Sequence, residues 1–182
     1  ANAVVDLDTG GGERFLTLRP HWPAKVVVTE EYPPNLALVT ERLAPLGVQV
    51  LSVRITDDDP LPFAGGEFDL VLNRHSAFNA AEIARVLAPG GVFLTQQVHG
   101  LWADDLHAAF DVTPQWPNAT PEQYVPRLQA AGLTVTDVRN WQGALRFTDV
   151  GAIVYLLEAT ACSGHGFSVA TPAGAPLCGD DR

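Results

Sequence analysis

Methionine is missing from this 182-residue chain, cysteine occurs only twice, and basic residues are scarce, with 11 Lys plus Arg against 21 Asp plus Glu. Two cysteines, Cys162 and Cys178, make neither a disulfide framework nor a set of thiolate metal ligands, so they read as free thiols or one bridge in the tail. No metal site is expected. The longest apolar stretch, around 151–157, falls far short of the ~20 residues that a membrane helix needs. Nothing at the start has the charged and apolar regions of a signal peptide, so a cytoplasmic location is the default expectation. The formal charge of −10 opposes a broad polyanion-binding face and disfavours DNA or RNA as a partner. What remains is an ordinary globular composition, 47% apolar and without low-complexity tracts. One domain is expected over residues 1–160, followed by a loose tail, 161–182, rich in glycine, alanine and proline.

Apolar runs alternate with helical patterns along the chain. Val4 and Val5 lie in a first buried strand, and Lys25 to Thr29 form a second. Between them, Glu13 to Leu18 can make a short helix ended by Pro20 and Pro23. Leu36, Leu38, Val39, Leu43 and Leu46 recur at helical spacing between Pro33-Pro34 and Gly47. Val48 to Val53 and Phe68 to Leu72 read as strands three and four. Asn79 followed by Glu82 suits a capping box for a helix that stops at Pro89-Gly90-Gly91, and Val92 to Val98 is a fifth strand. Thr120-Pro121-Glu122-Gln123 opens a further helix closed by Gly132. Leu133 to Trp141 and Gly151 to Ala159 are expected to close the fold as an antiparallel strand pair. This order predicts a doubly wound α/β sandwich of three layers.

The first strand runs directly into Asp8-Thr9-Gly10-Gly11-Gly12-Glu13. Glycines there accept positive φ and let backbone N–H groups approach a ligand, and a following helix would point its positive end at the same place. A nucleotide-like molecule is the expected occupant. A dinucleotide fingerprint requires a glycine three residues after Gly12, and that position is Phe15, so a nicotinamide-dependent reductase is the weaker alternative.

Val5-Asp6-Leu7-Asp8-Thr9-Gly10-Gly11-Gly12-Glu13, the Leu61-Pro62-Phe63 to Phe68-Asp69-Leu70-Val71 segment, and Arg85-Val86-Leu87-Ala88-Pro89-Gly90-Gly91 occur in the order found in one family. Together they resemble the class I S-adenosylmethionine-dependent methyltransferases. The resemblance implies a seven-stranded, mostly parallel sheet with an antiparallel terminal hairpin, S-adenosyl-L-methionine as cofactor, and N-terminal helices that this chain is expected to lack. It also implies a cofactor site made by Asp6, Asp8, Gly10 and Gly12 near the methionine end, with Glu30 on the ribose hydroxyls. Tyr32 and Asp57 would lie by the adenine, and Asn73 beside the sulfonium. The family's first glycine is Asp8 here, so a side chain stands at a turn position where asparagine and aspartate are the best-tolerated substitutes. That departure keeps open a degenerate member that binds a cofactor or partner without turnover.

The acceptor is less legible. Charge favours a small molecule over a polymer. His75, just after the fourth strand, can serve as a base near neutral pH or as a structural histidine bonded to local backbone. His99 and Trp102 lie beyond the fifth strand, and Arg146 in the final turn; these three are the substrate-binding candidates, beside the alternatives of plain packing and turn residues. Asp57 shares its loop with Asp58 and Asp59, which leaves its register open by one residue and a solvated charged loop as the alternative.

Overall fold

The computed structural model describes residues 2–159. It divides into two compact units, one made of the chain up to Gln97 with Val125–Val135, the other of Val98–Tyr124 with the residues from Thr136 on. The first unit is built on five strands, β1 (Ala3–Leu7), β2 (Lys25–Thr29), β3 (Gln49–Leu51), β4 (Phe68–Arg74) and β5 (Leu87–Gln96). They pair in the order β3-β2-β1-β4-β5, and every pairing is parallel. Three helices, α1 (Glu13–Leu16), α2 (Pro33–Leu43) and α3 (Ala80–Val86), connect them. The order runs one way from β1 to β3 and then jumps to β4 on the other side of β1. That reversal opens a crevice at the carboxyl ends of β1 and β4, where ligands bind in sheets of this kind.

The central strands are apolar on both sides because both sides are covered. Val4, Val26 and Val28 bury against Phe15, Val39, Leu43 and Val48. On the opposite face Val5 stands in register with Val27 and Val71, all nearly free of solvent contact. Helix α2 follows from Pro33-Pro34 at its first turn and ends through a 3₁₀ turn at Gly47, whose φ of 85° is left-handed. Asn79 caps α3 as the sequence suggests, its Oδ1 accepting the N–H groups of Ala81 (3.0 Å) and Glu82 (3.3 Å). Glu82 does not complete a capping box. Its carboxylate accepts the Leu61 N–H (2.7 Å) and pairs with Arg85 (2.6 Å), and Arg85 donates to the carbonyls of Leu61 and Phe63. Arg85 thus clamps the Leu-Pro-Phe loop.

Strand β5 starts at Leu87, ahead of the Val92 start expected from sequence, because Leu87 pairs with Phe68 before the chain bulges and rejoins the ladder at Leu70 and Val92. Gly90 turns the bulge at φ 77°, and a Cβ on Gly91 would lie 2.9 Å from the Ala88 carbonyl oxygen. The terminal antiparallel hairpin is a correction. Among the described residues the sheet has five strands rather than seven, residues 133–149 carry no strand, and the last apolar run is the helix α6 (Val150–Ala159). The physical reason is local: Asp149 caps that run by accepting the Ala152 N–H at 2.9 Å, and short apolar runs read equally as buried helix or strand. The Cys162 and Cys178 tail lies outside the described residues.

In the second unit α4 (Asp104–Ala109) holds His107 at 2% exposure, edge-on to Trp102. Helix α5 (Pro121–Ala130), whose residues from Val125 on belong to the first unit, starts at the predicted Thr120-Pro121 signal, and Gly132 follows it at φ 89°. No described helix is long and apolar enough to cross a membrane. Leu43 has no solvent exposure and Leu38 on the same helix is 47% exposed. Leu43→Ala should therefore cost about 2–5 kcal/mol of unfolding free energy, and Leu38→Ala less than about 0.5 kcal/mol. Urea denaturation of both variants checks the assignment of the buried face, and equal losses would contradict it.

Candidate active site

The glycine turn is tied to the end of β2. Thr29, fully buried, accepts the Asp8 N–H on its hydroxyl oxygen (3.0 Å) and the Thr9 N–H on its carbonyl (2.9 Å). Asp8 takes φ 52°, a left-handed conformation that aspartate tolerates better than most residues. Gly10 (φ 65°) and Gly12 (φ 80°) follow, and the Gly12 N–H closes the turn on the Thr9 carbonyl at 3.3 Å. No described hydrogen bond uses the N–H groups of Gly10 and Gly11, and a Cβ built on Gly10 meets nothing within 4 Å. The Gly10 side of the turn is therefore open, while at Gly11 a Cβ would lie 2.6 Å from the Glu13 carboxylate. Helix α1 is only four residues long, so the macrodipole expected behind the turn adds little.

A cavity of about 760 Å³ opens between this turn and the end of β4. Asp6, Asp8, Gly10, Asn73 and His75 line it, with Arg14 across from them. Its size is that of a small-molecule site. Asn73, 2% exposed, accepts hydrogen bonds from Thr95 Oγ1 (2.9 Å) and Gln97 Nε2 (2.6 Å) and donates to the Ala77 carbonyl (3.2 Å). Gln97 also donates to the Ser76 carbonyl at 2.9 Å, and the His75 N–H is held by the Gln96 carbonyl at 2.8 Å. This network keeps His75 at φ 61° on the cavity wall. The Ser76 hydroxyl donates to Asp8 Oδ2, joining the β1 and β4 loops, and Asp8 Oδ1 is buried without a partner. A buried acceptor in that state is ready for a donor from a ligand.

Burial pushes the Asp6 carboxyl up to about 6, with the Thr9 hydroxyl and the Arg74 charge pulling the other way. Burial also raises Asp8 to about 6; the Ser76 hydroxyl opposes this, while the charges of Glu30, Glu31 and Asp6 add to it. His75 is lowered by burial first and by Arg74 second, so its ring favours the neutral form at pH 7.

The other expected residues are placed as follows. Glu30 is 5% exposed at the end of β2, its Oε1 accepting the Tyr32 N–H at 2.9 Å, and the Tyr32 ring is mostly exposed. Asp57 pairs with Arg127 of α5 at 3.3 Å, beside a turn in which Thr56 Oγ1 accepts the N–H groups of Asp58 and Asp59. Glu30, Tyr32 and Asp57 lie outside the lining of the 760 Å³ cavity. His99, Trp102 and Arg146 belong to the second unit. There His99 Nδ1 accepts the Leu101 N–H (3.1 Å), Trp102 edges a hollow of about 30 Å³ with Trp116, and Arg146 is exposed. Ser76 and Arg42, which touch the glycine turn or its neighbour Asp8, carried no motif signal. Gln97 fell within the expected fifth strand, Val92 to Val98, without a role.

A parallel sheet with this switch point, a glycine turn leaving its first strand and a buried acid ending its second is the framework of a nucleoside-cofactor-binding domain. The family described as "Methyltransferase domain" matches residues 5–95. The chain belongs to that family, the class I S-adenosylmethionine-dependent methyltransferases. Over 96 residues it is 35% identical to a demethylmenaquinone methyltransferase of Thermus thermophilus, a match covering 48% of this chain and 43% of the relative. The chain thus spans less than half the length of that curated relative. Among solved structures, the Bacillus subtilis YcgJ protein superposes with a TM-score of 0.63 at 17% identity, over 88% of this chain and 78% of the other. A methyltransferase crystallised with the Haloferax volcanii Trm112 methyltransferase activator gives 0.57 at 24% identity, over 75% and 63%. These two likenesses show the fold.

The cofactor this family uses fits the residues present. The glycine N–H groups suit its carboxylate, Asp8 Oδ1 its ammonium, and the buried Glu30 is a pure acceptor for hydroxyls. Asp6 and Asp8, at about 6 in place of the ordinary 3.8, let the folded chain hold more protons than the unfolded one between about pH 4 and 6. Stability must then fall as pH rises through that window, the penalty being absent below it and complete above it. Asp8→Asn should melt higher than wild type at pH 7.5, with the difference vanishing by pH 4. Thermal melts at both values test this; equal midpoints at pH 7.5 would contradict it.

Proposed function

We propose that this protein transfers a methyl group from S-adenosylmethionine to a small-molecule acceptor. The observation that carries the reading is the cavity at the β1–β4 switch point, where unused glycine N–H groups, an unpartnered Asp8 oxygen and the His75 ring share one wall system. When bound, the donor supplies a methyl already activated on a sulfonium. The protein's work is therefore placement and exclusion of water, with no nucleophile of its own required.

In this reading Gly10 and Gly11 receive the donor's carboxylate, Asp8 its ammonium and Glu30 its ribose hydroxyls. Tyr32 and Asp57 stand on the adenine side. Asn73 shapes the wall by the reacting centre, and His75, neutral at pH 7, takes the proton that an acceptor hydroxyl or amine releases on methylation. His99, Trp102 and Arg146 are the acceptor-side candidates. A small acceptor is supported by the chain's charge of −10 and by the relative named for demethylmenaquinone. One feature favours a second reading, a domain that does not turn over: Asp8 replaces a glycine and reaches Ser76 across the crevice.

Titration calorimetry tests the cofactor site, and turnover of an acceptor separates the two readings. Wild type should bind S-adenosylmethionine and S-adenosylhomocysteine but not NADH. Glu30→Ala should weaken both by about tenfold or more, the size of a lost charge-assisted hydrogen-bond acceptor. Asp57→Ala, whose carboxylate is already engaged by Arg127, should weaken them less. Absence of binding by wild type would overturn the methyltransferase reading for this chain. With an acceptor in hand, His75→Gln should depress turnover by about a hundredfold while leaving donor affinity intact; unchanged turnover would remove the base role.

A further inference from the structure

Helix α2 braces the glycine turn from outside the cavity, and one of its side chains reaches the turn's backbone. A Cβ on Gly12 would come within 3.0 Å of both Val39 and Leu43, so the turn lies directly on this helix. Arg42, between those two residues' rows, donates from Nη1 to the Gly11 carbonyl and to Glu13 Oε1, the latter at 2.7 Å. The Glu13 carboxylate in turn lies under Gly11, where a Cβ would be 2.6 Å from it. Arg42 itself is absent from the cavity lining, whereas Gly11 and Glu13, the two residues it holds, are part of it.

We propose that Arg42 is a positioning residue for the methyl donor: by holding the Gly11 carbonyl toward α2, it keeps the N–H face of the turn presented to the donor's amino-acid carboxylate. The inference rests on the functional reading above. Three consecutive glycines leave the backbone unusually free, and peptide flips there would put a carbonyl oxygen where an anion must sit. Holding the peptide in advance removes an ordering cost from binding. Arginine suits the task because its guanidinium stays charged and the two N–H bonds of Nη1 reach the carbonyl and the carboxylate together. Neither the glycine motif nor the apolar pattern of α2 marks this side chain.

The test is calorimetry on the full chain with three probes: S-adenosylmethionine, S-adenosylhomocysteine, and 5′-methylthioadenosine, which keeps the nucleoside but lacks the amino-acid end. Arg42→Ala should weaken the first two about tenfold and leave the third within about twofold, as expected for lost pre-organisation at one end of the ligand. Arg42→Lys should recover part of the loss. Unchanged affinity for the first two probes, or an equal loss for all three, would overturn the positioning role, the second pattern marking a general packing contribution. Should Arg42→Ala fail to fold, Arg42→Gln, whose shorter neutral side chain gives up the reach to the Gly11 carbonyl, should show a loss confined to the same two probes, and no loss there would overturn the proposal. Wild type binding none of the probes would instead strike the functional reading, and this inference with it.

Discussion

Two hydrogen bonds from the turn after β1 to Thr29 at the end of β2 are the interaction on which the remaining geometry depends. They fix where the chain leaves the first strand, and so where Asp8 and the glycines stand. Parallel pairing brings β4 to the other side of β1 in register, Leu7 opposite Asn73. The carboxyl ends of three strands then meet at one level, with the cavity between two of their loops. Arg42 from outside and Ser76 from across the crevice hold the same turn. A loop with three glycines is thereby held by neighbours on either side of it rather than by its own conformational preference.

The electrostatics of the site follow from the same convergence. Asp6 and Asp8 come from one strand end, Glu30 from the next, and burial concentrates their charges where water cannot screen them well. Such a place favours a cation or hydrogen-bond donors, and it raises the cost of keeping the carboxylates ionised with no ligand present. On β4 the balance is opposite: burial first and Arg74 second favour neutral His75, the form that can accept a proton. Groups with displaced titration ranges thus face each other across one cavity, a pattern associated with functional sites.

Much of this was legible in the residues. The valine-rich strands, the Asn79 cap, the helix from Pro33 and the glycine turn all appear where local pattern puts them, because each depends on neighbours within a few positions. The final apolar run was not legible as to type, since Val150–Ala159 is compatible with strand or helix until its Asp149 cap is seen. The start of β5 was missed because a bulge depends on Phe68, distant in sequence. At the site, the turn of Asp8, Gly10 and Gly12 stood out by its glycine spacing, and Asn73 was named only through the family resemblance. Arg42, Ser76 and Gln97 were not readable as parts of it, because arginine late in a helix, serine in a loop and glutamine after a strand are common everywhere.

From the sequence by itself come the alternation of strands and helices, the glycine turn and the family, because periodicity and short motifs are properties of contiguous residues. Only the tertiary structure decided that Asp8 spans to Ser76, that Asp57 is engaged by Arg127, and that Arg42 grips the Gly11 carbonyl. Each of those contacts joins residues more than thirty positions apart (|i−j| of 68, 70 and 31). Such pairings exist only once the parallel sheet has brought separate strand ends and their helices together.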